Sequence, residues 1–140
     1  MHVTETKLRV RYAETDRMGY VYYGNYAIYF EVARVDAMKS LGISYRELED
    51  QGVLMPVYEF SIRYLKPAYY DDELTIRTII EEVPKSRIVF RYETYNENGD
   101  LINEASTTLV FMDKLNNRPT RVPEEMAKRL EDIINDPGRS

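Results

Sequence analysis

From Tyr26 to Leu41, the apolar residues Tyr26, Tyr29, Phe30, Ala33, Ala37 and Leu41 recur at the three-and-four spacing of one helix face. Ile28, Val32 and Met38 widen that stripe, so the pattern predicts a long helix with little surface left to water. It starts near Tyr23 to Asn25 and stops at Gly42, a residue that readily takes the left-handed end conformation. A helix of about 17 residues is roughly 25 Å long. Period two governs most of the remainder. Thr4, Thr6, Leu8, Val10 and Tyr12 alternate with Glu5, Lys7, Arg9 and Arg11 ahead of the helix, and Tyr58, Phe60, Ile62 and Tyr64 alternate with Glu59, Ser61 and Arg63 behind it. Further strands follow at Leu74 to Ile80, at Ile88 to Glu93, and after the Asn98-Gly99 hairpin signal up to Met112.

Ser44 with Glu47 forms a capping box for a short second helix ending near Gly52, and Pro123 with Glu124 and Glu125 opens a last amphipathic helix. The tail from Asp136 to Ser140 is expected to be mobile. No repeat or linker divides the chain, so residues 1–140 read as one α+β domain. Strands of about ten residues span ~33 Å, enough for a sheet to curl around a helix of that length. The stretch Leu109 to Met112 is apolar on both faces, which predicts cover from a second copy of the chain.

Composition narrows the chemistry. Hydrophobic residues make up 44% and charged ones 31%, a globular balance, and the net charge of −5 argues against a nucleic-acid surface. No apolar run is long enough for a membrane span, and the N-terminus lacks the form of a secretory signal, so a cytoplasmic location is expected. Without cysteine there is no thiolate nucleophile or thiolate metal site, and the one histidine, His2, sits at the chain end. General base work therefore falls to a carboxylate, and no metal or other cofactor is implied.

Such a carboxylate lies in the stretch Arg11 to Arg34, where Asp16 and Gly19 precede the head of the long helix. That order sets an anionic side chain beside unpaired backbone N–H groups, an arrangement suited to attack on a polarised carbonyl. By spacing alone, Asp16 in Thr-Asp-x-x-Gly is more simply a turn aspartate. Five of the 13 tyrosines (Tyr20, Tyr22, Tyr23, Tyr26 and Tyr29) crowd the ten residues from Tyr20 to Tyr29, and Tyr26 and Tyr29 read as core. Glu31, the other carboxylate near the helix head, is placed to pair with Arg34 at i+3.

The run RVRYAETDRMGYVYYGNYAIYFEVAR resembles the entry motif of hotdog-fold acyl-CoA thioesterases of the 4-hydroxybenzoyl-CoA type, a group that includes the Tol-Pal-associated branch. The likeness continues through Tyr64-Leu65-Lys66-Pro67-Ala68, Asp71 to Leu74, Ser86-Arg87, Asn98-Gly99 and Arg121-Val122-Pro123, nearly the whole chain. It implies a five-stranded antiparallel sheet wrapped around one long central helix. It also implies hydrolysis of an acyl-CoA to a free acid and coenzyme A by a homodimer or homotetramer. Asp16 becomes the catalytic carboxylate and the Tyr23 N–H the donor to the thioester carbonyl. Gly24 extends the helix-head turn, and Asn25 acts as cap or positioning residue. Many Tol-Pal relatives carry histidine where Tyr23 stands, which leaves the substrate less defined than the reaction.

Coenzyme A is polyanionic, so Lys66, Lys85 and Arg87 are candidate phosphate partners, with Ser86 for the pantetheine or nucleotide. Tyr58, Phe60 and Met55 are candidate walls for the acyl group and read equally well as core. The rival reading is a hotdog module that binds an acyl thioester without turning it over, as a sensor or scaffold. Retention of the acidic loop argues against it.

Overall fold

Helix α1 of the computed structural model runs from Asn25 to Ser40 and buries Tyr26, Tyr29, Phe30, Ala33, Ala37 and Met38. The model describes residues 1–135, so the expectation for the tail from Asp136 lies outside the described residues. Gly42 has φ +72° and ends α1. Its N–H donates to Lys39 O at 2.9 Å and the N–H of Ile43 to Met38 O at 2.9 Å, the paired bonds of a Schellman stop. Ile28 and Val32 stay 54% and 45% exposed, so α1 shows more of itself to water in a single chain than its pattern predicts.

Five strands form one antiparallel sheet. β1 (His2–Arg9), β3 (Val57–Tyr64), β4 (Glu73–Ile80), β5 (Arg87–Tyr95) and β6 (Leu101–Val110) lie in the order β1-β4-β5-β6-β3. Leu74, Ile76 and Ile80 on β4, Ile88, Phe90 and Tyr92 on β5, and Ile102 and Leu109 on β6 are buried in one core cluster with α1. The other face is polar, with ion pairs such as Arg77–Glu93 at 2.9 Å and Arg63–Glu104 at 2.6 Å. The arrangement is the hotdog, a sheet wrapped on one helix.

Helix α2 (Tyr45–Asp50) is capped by the Ser44 side chain, which accepts the Glu47 N–H, and helix α3 (Glu124–Ile134) buries Met126 and Leu130. Three two-residue strands, β2 (Val53–Leu54), β7 (Met112–Asp113) and β8 (Arg118–Pro119), make a second small sheet. This sheet accounts for part of the stretch Leu109 to Met112: Phe111 is fully buried in the chain's own core and Met112 pairs with Leu54 and Pro119, while Val110 and Met112 stay half-buried.

Two other differences bear on the site. β1 stops at Arg9 because Glu14 captures the Arg11 N–H at 2.8 Å and starts a 3-10 turn over Tyr12–Glu14, leaving Tyr12 exposed. In β3, a register shift between Val57 and Glu59 takes Tyr58 out of the alternation with Phe60. β3 is also an edge strand. Val57, Tyr58, Phe60 and Tyr64 are all exposed, and one row of its backbone groups has no neighbour.

Candidate active site

The chain between β1 and α1 doubles back on itself. The Asp16 N–H donates to Tyr20 O at 2.8 Å and the Gly19 N–H to Asp16 O at 3.0 Å, with Gly19 at φ +81°. Asp16 Oδ1 accepts the N–H groups of Met18 at 2.9 Å and Tyr20 at 3.2 Å, so this carboxylate does build its own turn. Oδ2 has no hydrogen-bond partner among the described residues. The Val21 N–H donates to Ala68 O at 2.8 Å and pins the loop to the approach of β4.

Tyr22 donates its N–H to Glu14 O at 2.9 Å, and the next backbone donors to find partners are Asn25, bonded to Tyr22 O, and Tyr26, bonded to Tyr23 O. Among the described residues the Tyr23 and Gly24 N–H groups have none. They are the free donors at the positive end of α1. Asp16 and Tyr23 border one cavity of about 310 Å³, together with Tyr20, Tyr26, Tyr64 and Lys66. Burial pushes the Tyr26 phenol up to about 12 and Tyr64 upward as well, so both are neutral hydroxyls near pH 7.

The remaining candidates fall in different places. Gly24 is the residue before α1 with φ −64°, an ordinary helical value, and its lack of a side chain matters for packing. A Cβ there would lie 2.9 Å from the Tyr22 ring. Asn25 makes no cap; its Nδ2 donates to Glu14 O at 2.8 Å. Lys66 lines the Asp16 cavity and pairs with Asp100 at 3.3 Å. Lys85, Ser86 and Arg87 line a second cavity of about 470 Å³ at the β4–β5 connection, shared with Glu81, Glu82 and Arg91. The Arg87 guanidinium stands 5.0 Å over the Tyr58 ring. Phe60 meets Phe30 edge-on at 6.0 Å, between the two groups, and Met55 packs half-buried against the core. One chain thus brings Asp16, Tyr23 and Lys66 together and keeps Tyr58, Lys85, Ser86 and Arg87 apart from them.

The Glu31–Arg34 ion pair is absent among the described residues. Arg34 falls on the buried stripe at i+4 from Phe30, turns inward, and donates to the Tyr92 hydroxyl at 3.2 Å, while Glu31 stays exposed. Its guanidinium is held above its usual range: burial works against the charge, and the Tyr92 and Tyr45 hydroxyls together outweigh it. His2 bonds Ser40 at 2.8 Å, at the opposite end of α1 from Asp16, so it is a tethered residue and not a loose terminus.

Glu14 escaped the sequence reading. Its side chain is 12% exposed. Oε1 accepts from Arg11 N at 2.8 Å and from the Tyr29 hydroxyl at 2.9 Å, and Oε2 accepts from the Arg11 guanidinium at 3.0 and 3.2 Å. Burial pushes its carboxyl up, but the Arg11 and Tyr29 hydrogen bonds and the Arg11 charge outweigh that and hold it below the ordinary value. The one sequence signal was Glu14 three residues after Arg11, a capping-box spacing without the usual Ser or Thr.

A hotdog sheet with a carboxylate and free amides meeting at the head of its helix is the layout of a thioester hydrolase. Residues 10–130 match the model of the thioesterase-like superfamily, and the chain belongs to that family. It is 40% identical over 119 residues to a putative acyl-CoA thioesterase, YneP, of Bacillus subtilis, covering 85% of this chain and 86% of that one. It is 31% identical over 119 residues to the acyl-CoA thioester hydrolase YbgC of Escherichia coli, covering 85% and 89%. The solved structure of a DHNA-CoA thioesterase from Staphylococcus aureus superposes with a TM-score of 0.89 at 35% identity, covering 96% of this chain and 95% of that one. The protein is a thioesterase.

Proposed function

We propose that the protein hydrolyses an acyl-CoA to a carboxylic acid and coenzyme A, with the chemistry centred on Asp16 and the Tyr23 N–H. The observation that supports this is the unpartnered Asp16 Oδ2 and the unpartnered Tyr23 N–H bordering one cavity. The thioester carbonyl oxygen accepts the Tyr23 N–H, which stabilises the negative charge that develops there. Asp16 then attacks the carbonyl carbon directly or takes a proton from an attacking water. In the first route the carbon–sulfur bond breaks to leave a mixed anhydride that water opens; in the second it breaks from the tetrahedral adduct. Both consume one water and release the thiol and the acid. Gly24 lets the Tyr22 ring pack against the turn that presents the amide, and Asn25 ties the helix head to the loop.

The working unit in this reading is a two-fold pair of chains joined along β3. Its free edge and exposed side chains on both faces support that, since such an edge invites another strand. Antiparallel pairing reverses the strand. The Tyr64 end, beside Asp16, then meets the other copy's Tyr58 end, where Arg87, Ser86 and Lys85 stand ready for the phosphates of coenzyme A. Phe60, midway, faces the acyl group. The expected cytoplasmic location goes with that substrate and with a chain free of cysteine.

Release of free thiol from a panel of acyl-CoAs and acyl carrier proteins tests the reading. At least one acyl-CoA should turn over at ~1–10³ s⁻¹. Tight binding with no thiol released from any member would make the protein a thioester-binding module instead.

A further inference from the structure

We propose that Glu14 is a positioning residue for the reaction, fastening the loop that bears Asp16 to the head of the helix that presents the Tyr23 N–H. The inference rests on the hydrolase reading and adds a residue to it. Asp16 is two positions beyond Glu14, and Tyr23 is one beyond Tyr22, whose N–H donates to Glu14 O at 2.9 Å. The same carbonyl takes the Asn25 Nδ2 at 2.8 Å, so one backbone oxygen holds both the residue before Tyr23 and the first residue of α1. The Glu14 carboxylate fixes where that carbonyl points. It is held on one side by Arg11 and on the other by the Tyr29 hydroxyl, one turn inside α1.

Glu14 therefore receives bonds from the strand exit, the helix head and the helix interior, and the catalytic pair hangs between these anchors. The cavity lining does not include Glu14, so it acts through its neighbours. A group that sets the distance between a base and a carbonyl donor governs rate rather than affinity, because small displacements cost most in the transition state. An ordinary surface ion pair between Glu14 and Arg11 would contribute little to either.

The test compares Glu14→Ala and Tyr29→Phe, each alone and combined with Asp16→Asn, by kinetics on the preferred acyl-CoA and by NMR amide exchange. Glu14→Ala should lower kcat ~10–100-fold while KM moves less than about threefold. In the Asp16→Asn background the same change should lower the residual rate by less than about twofold, since the residue it serves is already disabled. Exchange at the Tyr22 and Tyr20 amides should speed up about tenfold or more, with β4 and β5 amides unchanged. Tyr29→Phe removes one hydroxyl and should lower kcat about two- to fivefold, which settles the matter if Glu14→Ala fails to fold. Parent kcat in either soluble variant, full additivity with Asp16→Asn, or faster exchange spread across the sheet would overturn the assignment. Should no acyl-CoA be cleaved by the parent protein, the hydrolase reading falls, and the Tyr22 exchange alone still decides whether Glu14 fastens the loop.

Discussion

The Tyr64 hydroxyl donates to the Tyr23 carbonyl oxygen at 3.4 Å, so the edge strand β3 touches the turn that opens α1. The Tyr26 ring lies 5.7 Å from that of Tyr64, and together they wall the cavity that holds Asp16. The candidate site thus lies where the β3 edge meets the head of α1.

Asp16→Asn keeps an oxygen for the Met18 and Tyr20 N–H groups but loses the negative charge, so the loop should persist without its base. We expect kcat to fall ~10²–10⁴-fold with an unchanged circular dichroism spectrum. Glu31→Gln, on an exposed carboxylate with no ion pair among the described residues, should stay within about twofold of the parent in the same assay. Equal losses in both variants would remove Asp16 from its role.

Arg87→Ala should raise KM for an acyl-CoA about three- to tenfold at low ionic strength, with the change falling in KM rather than kcat. In concentrated salt the difference from the parent should shrink, because phosphate contacts at an exposed guanidinium are screened. A KM equal to the parent's at low salt would take Arg87 out of the binding surface.

Charges on the β3 edge should break the proposed pairing of two copies. Val57 and Ser61 are both exposed, and replacing each with lysine places two cations per copy along the shared line. Sedimentation should show monomers, and thiol release should drop with the dimer. A monomer that keeps full turnover would show that a single chain suffices.

Glu14→Gln should change how stability depends on pH. Its folded carboxyl lies below the ordinary 4.5, so the ionised group contributes stability that is fully present above that value and is lost as pH falls through the folded value. The glutamine variant should therefore be the less stable protein at neutral pH, with the gap closing in acid. Urea midpoints that differ by the same amount at pH 7 and pH 3 would contradict this.

Arg34→Met should leave stability unchanged or raise it by about 1–2 kcal/mol. Arg34 is 9% exposed and has no carboxylate within 4.0 Å among the described residues; it donates to the Tyr92 hydroxyl, which keeps Thr107 Oγ1 at 2.6 Å, and it lies beside the buried Tyr45 hydroxyl. Removing it relieves a buried charge and leaves the Tyr92 hydroxyl its bond to Thr107. A loss above about 2 kcal/mol by thermal melting would mean that Arg34 holds the core together.

Local order was readable wherever the signal is local. The α1 stripe, the stop at Gly42, the cap at Ser44 and the turn at Asn98-Gly99 depend on residues within a few positions of one another, and each sits within a residue or two of its expected place. Asp16 beside a helix head was legible for the same reason: twenty-odd residues of contiguous chain fold back on themselves.

Position along the chain does not tell which strand ends up at an edge. β3 lies far in sequence from β6, its one neighbour among the described residues, and that long-range pairing leaves it at an edge, while the β4–β5 connection sets Lys85, Ser86 and Arg87 apart from Asp16 and Lys66. The partners of Met112 likewise come from β2 and β8, on either side in sequence, and the inward turn of Arg34 depends on Tyr92 waiting on β5. Side-chain type and spacing determined the helix, the alternation and the acidic loop, because steric and hydrogen-bond preferences act between near neighbours. Tertiary contact decided the edge, the two cavities and the inward turn of Arg34, because those energies exist only once distant segments touch.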